Sequence, residues 1–340
     1  MTILFDIKHV AHINFFNVVI ARLVEENHEV LISYIERGKL PKIIKKEFPG
    51  ISSYSIGRHQ GTTFSILYEA NVLKFFKARK LIKHKNIDIM LGVDAFVTGL
   101  ACKISSIPNI QFYDDPERKV NLKLEQLTSD ALFYPEITDF SGTTVQTYRA
   151  LKEWAYLSPA YFEPNEDSLK EWGVKAGNYI FVREVDTGSL NYKDQKAGVV
   201  ASVADQFPAG KKVLLSLENK DTIDEYPPDW ILLQEPLQDI HSLMYYASAV
   251  VSSGDSMARE GAMLGVPSFY IGFRDMAANR FIQKEGLFFV IPPELFGEKM
   301  SNLESLCKDQ EVYRQRLFEQ WIDVSELIYN QLFATIKSKQ

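Results

Sequence analysis

Residues 252–267 read "SSGDSMAREGAMLGVP", small polar residues and one glycine followed by a helical run and a closing Gly-Val-Pro. A helix starting at the end of a strand presents unpaired backbone N–H groups and the positive end of its dipole, which together make an anion site. Gly254 lacks the Cβ that would keep an anion away, and Ser253 and Ser256 can add hydroxyl donors. Asp255 suits a phosphate poorly and is open to reading as a helix cap. Glu260 follows at one and a half turns, where a carboxylate can accept from two vicinal hydroxyls such as those of a ribose. A capped helix with a surface glutamate is the plainer reading of the same residues.

Three further groups stand at expected strand ends. "YDDPE" (113–117) places three acids within four residues, and Asp115 or Glu117 would gain a raised pKa suited to acid–base work if the cluster is partly buried. His9 and His12 follow the first strand, where an imidazole could take a proton from a hydroxyl, or cap a helix. Asp94 and Arg183 hold equivalent places, and the forked, permanently charged Arg183 suits a diphosphate. No metal-ligand spacing, GxSxG, P-loop or GxGxxG is present, which sets aside serine hydrolases, P-loop kinases and ordinary dehydrogenases.

The elements that must position these groups alternate. Strands are expected at 2–7, 29–35, 87–94, 108–115 and 130–136, with helices after the first and third. The pattern restarts with strands at 178–185, 211–218, 230–236, 248–254, 267–273 and 286–293, and helices at 195–207, 239–247 and 303–338. Gly142, Pro159, Pro164, Gly173 and Gly177 punctuate 141–177. The expected organisation is therefore an N-terminal Rossmann-like lobe (1–150), a connector (151–177), a second such lobe (178–310), and C-terminal helices (311–340) packing back on the first lobe. Two α/β lobes joined by a hinge imply a cleft lined by the carboxyl ends of parallel strands.

Composition sets bounds. The 340 residues carry a net charge of −6, which argues against a nucleic-acid partner. Residues 1–150 hold 19 Lys and Arg against 16 Asp and Glu, whereas 151–340 hold 19 against 28. The basic excess concentrates in "KFFKARKLIKHK" (74–85) and, more mildly, "ERGKLPKIIKKEF" (36–48). Both read either as solvated helix faces or as peripheral contacts with anionic lipid. The N-terminus does not read as a signal peptide, no apolar run is long enough to span a bilayer, and Cys102 and Cys307 show no paired spacing. The expectation is a cytoplasmic protein, with contact at the inner face of the membrane left open through 36–48 and 74–85.

The stretch "SSGDSMAREGAMLGVPSFY" resembles the C-terminal-lobe motif of GT-B glycosyltransferases and of UDP-N-acetylglucosamine 2-epimerases, in which a glutamate lies seven residues before a proline, here Glu260 and Pro267. The chain as a whole resembles the domain of unknown function 354 family, which is grouped with GT-B folds. Four segments carry that likeness in order: "ILFDIKHVAHINFFNVVIARLVEENHEVLI", "NIQFYDDPERKVNLKLEQLTSDALFYPE", "YRALKEWAYLSPAYFEPNEDSLKEWGV" and the motif itself. The resemblance implies a diphosphate held by Gly254, Ser256 and their neighbours, a ribose on Glu260, and a base beside 234–239 with its edge read by backbone around Leu237. His12 is similar to the histidine of the N-terminal loop in several GT-B transferases, although "KHVAH" lacks their glycines. Asp115 or Glu117 resembles the strand-end glutamate of the epimerase site. Asn191 and Tyr192 stand where the family carries a His-Asp pair, a departure.

The resulting expectation is a GT-B glycosyltransferase using a nucleotide-sugar donor, UDP-linked, with a glycan or lipid-linked acceptor of the cell envelope or an exopolysaccharide, and no metal or further cofactor. The alternative is a sugar-nucleotide 2-epimerase or hydrolase using the same nucleotide site.

Overall fold

The computed structural model describes residues 1–58, 71–137, 141–188, 195–234, 239–306 and 309–338. In chain order the first elements are β1 (Thr2–Ile7), α1 (Val10–Glu25), β2 (Glu29–Glu36), α2 (Leu40–Glu47), β3 (Ser52–Arg58), α3 (Lys74–Lys85), β4 (Ile89–Val93), α4 (Phe96–Ile104), β5 (Asn109–Phe112), α5 (Lys119–Thr128), β6 (Ala131–Pro135), β7 (Val145–Tyr148) and α6 (Trp154–Leu157). There follow β8 (Tyr179–Glu184), β9 (Lys212–Leu217), β10 (Ile231–Leu232), α7 (Ile240–Tyr245), β11 (Ala249–Ser252), α8 (Asp255–Met263), β12 (Ser268–Tyr270), α9 (Ala277–Gln283) and β13 (Phe288–Val290). The last helices are α10 (Phe296–Ser301), α11 (Leu303–Leu306), α12 (Gln310–Gln320) and α13 (Val324–Lys337).

The chain forms two compact units. Unit 1 is Met1–Tyr156 with Trp321–Gln340, and unit 2 is Leu157–Gln320. The expected tail 311–340 is thus divided: α12 belongs to unit 2, while α13 packs on α1 in unit 1.

Unit 1 is a seven-stranded sheet in the order β3-β2-β1-β4-β5-β6-β7, and every pairing is parallel. Strands such as "TILFDI" and "IMLGV" are buried along nearly their whole length because helices cover both faces. Parallel strands are joined by right-handed crossovers. Since α1 and α2 lead leftward from β1, and α3, α4 and α5 lead rightward, the two sets lie on opposite faces; α1 touches α2 and α13, and α4 touches both α3 and α5. α1 buries Ile13, Phe15, Phe16, Val19, Ile20 and Leu23 at helical spacing against the sheet. The C-terminal return is fixed by Trp154 on Trp321, edge to face at 5.3 Å, and by Ser325 donating to the Ala155 carbonyl at 2.7 Å.

Two strands differ from expectation. β3, "SSYSIGR", is an edge strand of half-buried serines and lacks the apolar run that marks an interior strand. β7, "VQTY", also at an edge, falls inside the turn-rich stretch 141–177 and completes the first sheet.

Unit 2 is a six-stranded parallel sheet in the order β10-β9-β8-β11-β12-β13. Its core packs Ile180, Val182, Val213, Leu215, Val251 and Phe269 from the strands against Val199, Val200 and Phe296. The helix expected at 195–207 is instead a short 3-10 turn at Ala201–Gln206. Gly198 at φ +67° and the β-branched Val199, Val200 and Val203 disfavour a longer α-helix there. α8 lies hard against the sheet: a Cβ on Gly261 would stand 2.5 Å from Ser268 Oγ and 2.7 Å from Val250 Cγ2. Only glycine lets the helix approach β11 and β12 so closely.

Candidate functional site

In an open parallel sheet, ligands bind beyond the carboxyl ends of the strands where the strand order reverses. In unit 2 that point lies between β8 and β11. Arg183 and Ser252 are partners in register across it. The Ser253 amide donates to the Arg183 carbonyl at 3.0 Å, which carries the pairing one step past the strands. α8 begins two residues later, so sheet topology sets the helix start at the switch point.

The expected donors there are partly committed. Ser252 Oγ accepts from the Gly254 amide at 3.0 Å and donates to the Gly254 carbonyl at 2.7 Å. Ser253 Oγ accepts from the Val185 amide at 3.0 Å, and Gln195 Nε2 donates to the Ser253 carbonyl at 3.1 Å. These bonds shape the loop rather than offer it. In the first turn the amides of Ser256 and Met257 have no carbonyl one turn back within the helix, and both residues are half-buried. Gly254 is the N-cap, with extended backbone and no side-chain cap.

Asp255 is not the helix cap. It is buried in the first turn, with Oδ2 2.7 Å from Arg259 and Oδ1 3.4 Å from Arg274. Arg259 is buried as well, donating to Asn279 Oδ1 at 2.8 Å and Ser256 Oγ at 3.3 Å. Asp255 thus lies between the Arg259 and Arg274 guanidiniums in the first turn of the helix. Arg274, which is half-buried, is the cation that sequence spacing did not single out. It lies on the loop after β12, and its backbone is fixed by an N–H bond to the Tyr270 hydroxyl at 2.9 Å.

Arg183 is beside the helix start through its backbone only. Its guanidinium turns to the end of β9, donating to Ser216 Oγ at 2.8 Å and pairing with Glu218 at 2.5 Å. Glu260 is buried on α8, with Oε2 3.6 Å from His241 Nε2 on α7. The turn that opens α7 is fixed by Asp239, which accepts from the Ser242 amide at 3.0 Å. Leu237, expected beside a base, and Asn191 and Tyr192 lie outside the described residues. A cavity of about 220 Å³ opens at the opposite, amino end of the unit 2 strands, near Gly177, Lys211 and Pro267, away from the switch point.

In unit 1 the order reverses between β1 and β4. The loops leaving those strands are joined by Lys8, whose Nζ lies 2.8 Å from Asp94 Oδ2 and also meets the Asp94 carbonyl. Burial alone would lower the Lys8 ammonium, but Asp94 holds it above its ordinary value. Asp94 has φ +50°, the left-handed region that Asp and Asn enter more readily than other non-glycine residues. Glu125 accepts from the Phe96 amide at 2.8 Å; burial, then the nearby Asp94 carboxylate, push its carboxyl up to about 8.

His9 is the N-cap of α1, its Nδ1 accepting from the Ala11 amide at 3.2 Å. His12 Nδ1 accepts from the Lys8 amide at 3.3 Å, which leaves the proton on Nε2. Burial, then the neighbouring His9, Lys152 and Lys8, hold its pKa well below the ordinary value. In this tautomer His12 is a neutral donor rather than a base. Asp114 pairs with Lys152 at 2.5 Å, and Asp115 with Arg118 at 3.1 Å. Burial pushes Asp115 up to about 6 against the pull of Arg118, helped by Asp114 and by a hydrogen bond with Glu117. Of the "YDDPE" acids, Asp115 is therefore poised to exchange a proton near neutrality, with exposed Glu117 as its partner. Among the described residues no cluster of three metal-ligating side chains is assembled.

Solved structures share this fold. The glycosyltransferase VinC, in complex with DTDP, superposes with a TM-score of 0.70 at 13% identity, covering 99% of this chain and 100% of that one. The UDP-GlcNAc 2-epimerase from Methanocaldococcus jannaschii gives 0.68 at 13% identity over 98% and 100%. The spinosyn rhamnosyltransferase SpnG gives 0.68 at 13% over 97% and 100%. Two Rossmann-like parallel-sheet units of this kind define the GT-B fold class. Within that class the chain belongs to the family described as "Protein of unknown function (DUF354)", whose match covers residues 1–292. An uncharacterized protein of M. jannaschii is 22% identical over 277 residues, 77% of this chain and 79% of its own.

Proposed function

We propose that the protein is a glycosyltransferase that uses a nucleotide-sugar donor, UDP-linked, to extend a cell-envelope or exopolysaccharide acceptor. The observation that carries this reading is the start of α8 at the unit 2 switch point, with Arg274 beside it and Glu260 further along the same helix. Amides and a cation at one end suit a diphosphate; a carboxylate just over a turn on suits the ribose hydroxyls. Glycosyl transfer breaks the bond from the anomeric carbon to the diphosphate oxygen, and the electron pair leaves with the diphosphate. Fixed donors at that oxygen stabilise the developing charge. The acceptor oxygen bonds to the anomeric carbon and gives up its proton. We assign that proton to Asp115, whose carboxyl is raised to about 6, and give His12 the role of neutral donor.

The same Asp115 favours a second reading, a sugar-nucleotide 2-epimerase or hydrolase, in which the poised carboxyl acts on the sugar itself. Incubation with UDP-N-acetylglucosamine alone separates the two. A transferase holds the donor and turns over only when acceptor is supplied. UDP release with a C2-inverted sugar, and no acceptor, would reject the transferase.

A further inference from the structure

The outer face of α3, α4 and α5 in unit 1 combines exposed cations with exposed apolar side chains and carries no exposed acid. α3 and α4 contain no Asp or Glu, and the single acid of α5, Glu125, points into the core. On α3, Phe76 is 59% exposed and shares a stripe with Lys80 and Lys83 at helical spacing, with Lys77 beside it. On α4, Leu100 and Ile104 are exposed one turn apart, next to Lys103. On α5, Val120 (72%) and Leu127 (66%) flank Lys123 on one stripe. The stripes are neighbours: α4 packs against both other helices, and Lys103 Nζ reaches the Leu127 carbonyl at 2.7 Å.

We propose that this three-helix face docks on the surface of an anionic lipid bilayer. Apolar side chains on three helices, Phe76 on α3 and aliphatic residues on α4 and α5, gain by entering the headgroup boundary, and lysines among them meet lipid phosphates while their stems lie on apolar surface. A nucleic acid would use the cations but not Leu100, Ile104, Val120 or Leu127, because sequence-tolerant binding relies on aromatic stacking. A second copy of the chain in a symmetric pairing would set cation against cation. The face is local: the chain as a whole is at −6. The other basic segment, 36–48, cannot extend it, since α2 lies on the opposite face of the sheet with α1. The proposal is independent of the nucleotide site, and no helix among the described residues is long and apolar enough to cross a membrane.

The test is co-sedimentation of the full chain with vesicles of phosphatidylcholine alone and of phosphatidylcholine mixed with phosphatidylglycerol, at low and high salt. Partition onto the anionic vesicles is expected to exceed that onto the neutral ones by more than about tenfold and to fall in high salt. Lys77→Glu/Lys80→Glu/Lys83→Glu should lose more than about tenfold, and Phe76→Ser/Ile104→Ser several-fold, with unchanged circular dichroism. Lys42→Glu/Lys45→Glu on α2 should change nothing. Equal binding to neutral vesicles, no binding at low salt, or an equal loss in the α2 variant would overturn the proposal. So would a concentration-dependent dimer abolished by Phe76→Ser/Ile104→Ser, or tight RNA binding abolished by the α3 charge reversals.

Discussion

Arg183 and Ser252 stand side by side at the last register position of two neighbouring parallel strands, yet their side chains part company. Ser252 folds onto the loop that starts α8, while the guanidinium of Arg183 turns to Glu218. The pairing of the two backbones thus sets where α8 begins, while the Arg183 guanidinium is engaged by the Glu218 carboxylate.

That engagement gives a first prediction. Glu218 and a diphosphate would compete for Arg183, so Glu218→Gln should tighten UDP binding by about threefold to tenfold, the modest effect expected of a partly exposed pair. Calorimetry at matched ionic strength checks this. Unchanged affinity would mean that Arg183 takes no part in binding.

Glu260 is the expected ribose anchor. Glu260→Ala should weaken UDP binding by about 1–3 kcal/mol, the cost of unmade hydrogen bonds to a charged group. The deoxyribonucleotide dUDP should show a smaller loss than UDP. An equal loss for the two would place Glu260 away from the ribose 2′-hydroxyl.

Asp115 sets a pH dependence. As a base it works only when deprotonated, so kcat/KM should rise with pH through about 6. Asp115→Asn should lower turnover by about 10²–10⁴-fold and remove that limb while leaving the UDP affinity in place. A variant that keeps the limb assigns it to another group.

Glu125 sets a pH dependence of stability. Its carboxyl titrates at about 8 in the fold and near 4.5 when unfolded, so the unfolded chain gives up its proton first. The contribution to stability is complete below pH 4.5 and is lost as pH rises through about 8. Glu125→Gln keeps an oxygen for the Phe96 amide and cannot ionise. It should match the wild type at acid pH and increasingly exceed it as pH rises through about 8 in urea unfolding. A difference independent of pH would show that Glu125 is not held protonated.

Much of this was legible in the sequence. Apolar runs such as "IMLGV" and "YIFVRE" marked interior strands, and small residues after "AVV" marked the start of α8. β3 and β7 were hidden because edge strands need not be apolar, and 195–207 looked helical because its apolar spacing outweighed Gly198. Asp255 was ambiguous since its partners lie four and nineteen residues away, and only the fold brings Arg259 and Arg274 to it. Lys8 and Asp94, 86 residues apart, meet for the same reason. Residue type alone marks His12 in the sequence, but its tautomer depends on the Lys8 amide, which no spacing predicts.

Hydrogen exchange of the full chain with and without UDP tests the central claim most directly. The account predicts slowed exchange at the first-turn amides of α8, Ser256 and Met257, and in the loop after β8, with a protection that Glu260→Ala weakens. Binding of UDP that leaves those amides unprotected, or no binding at millimolar UDP, would contradict it.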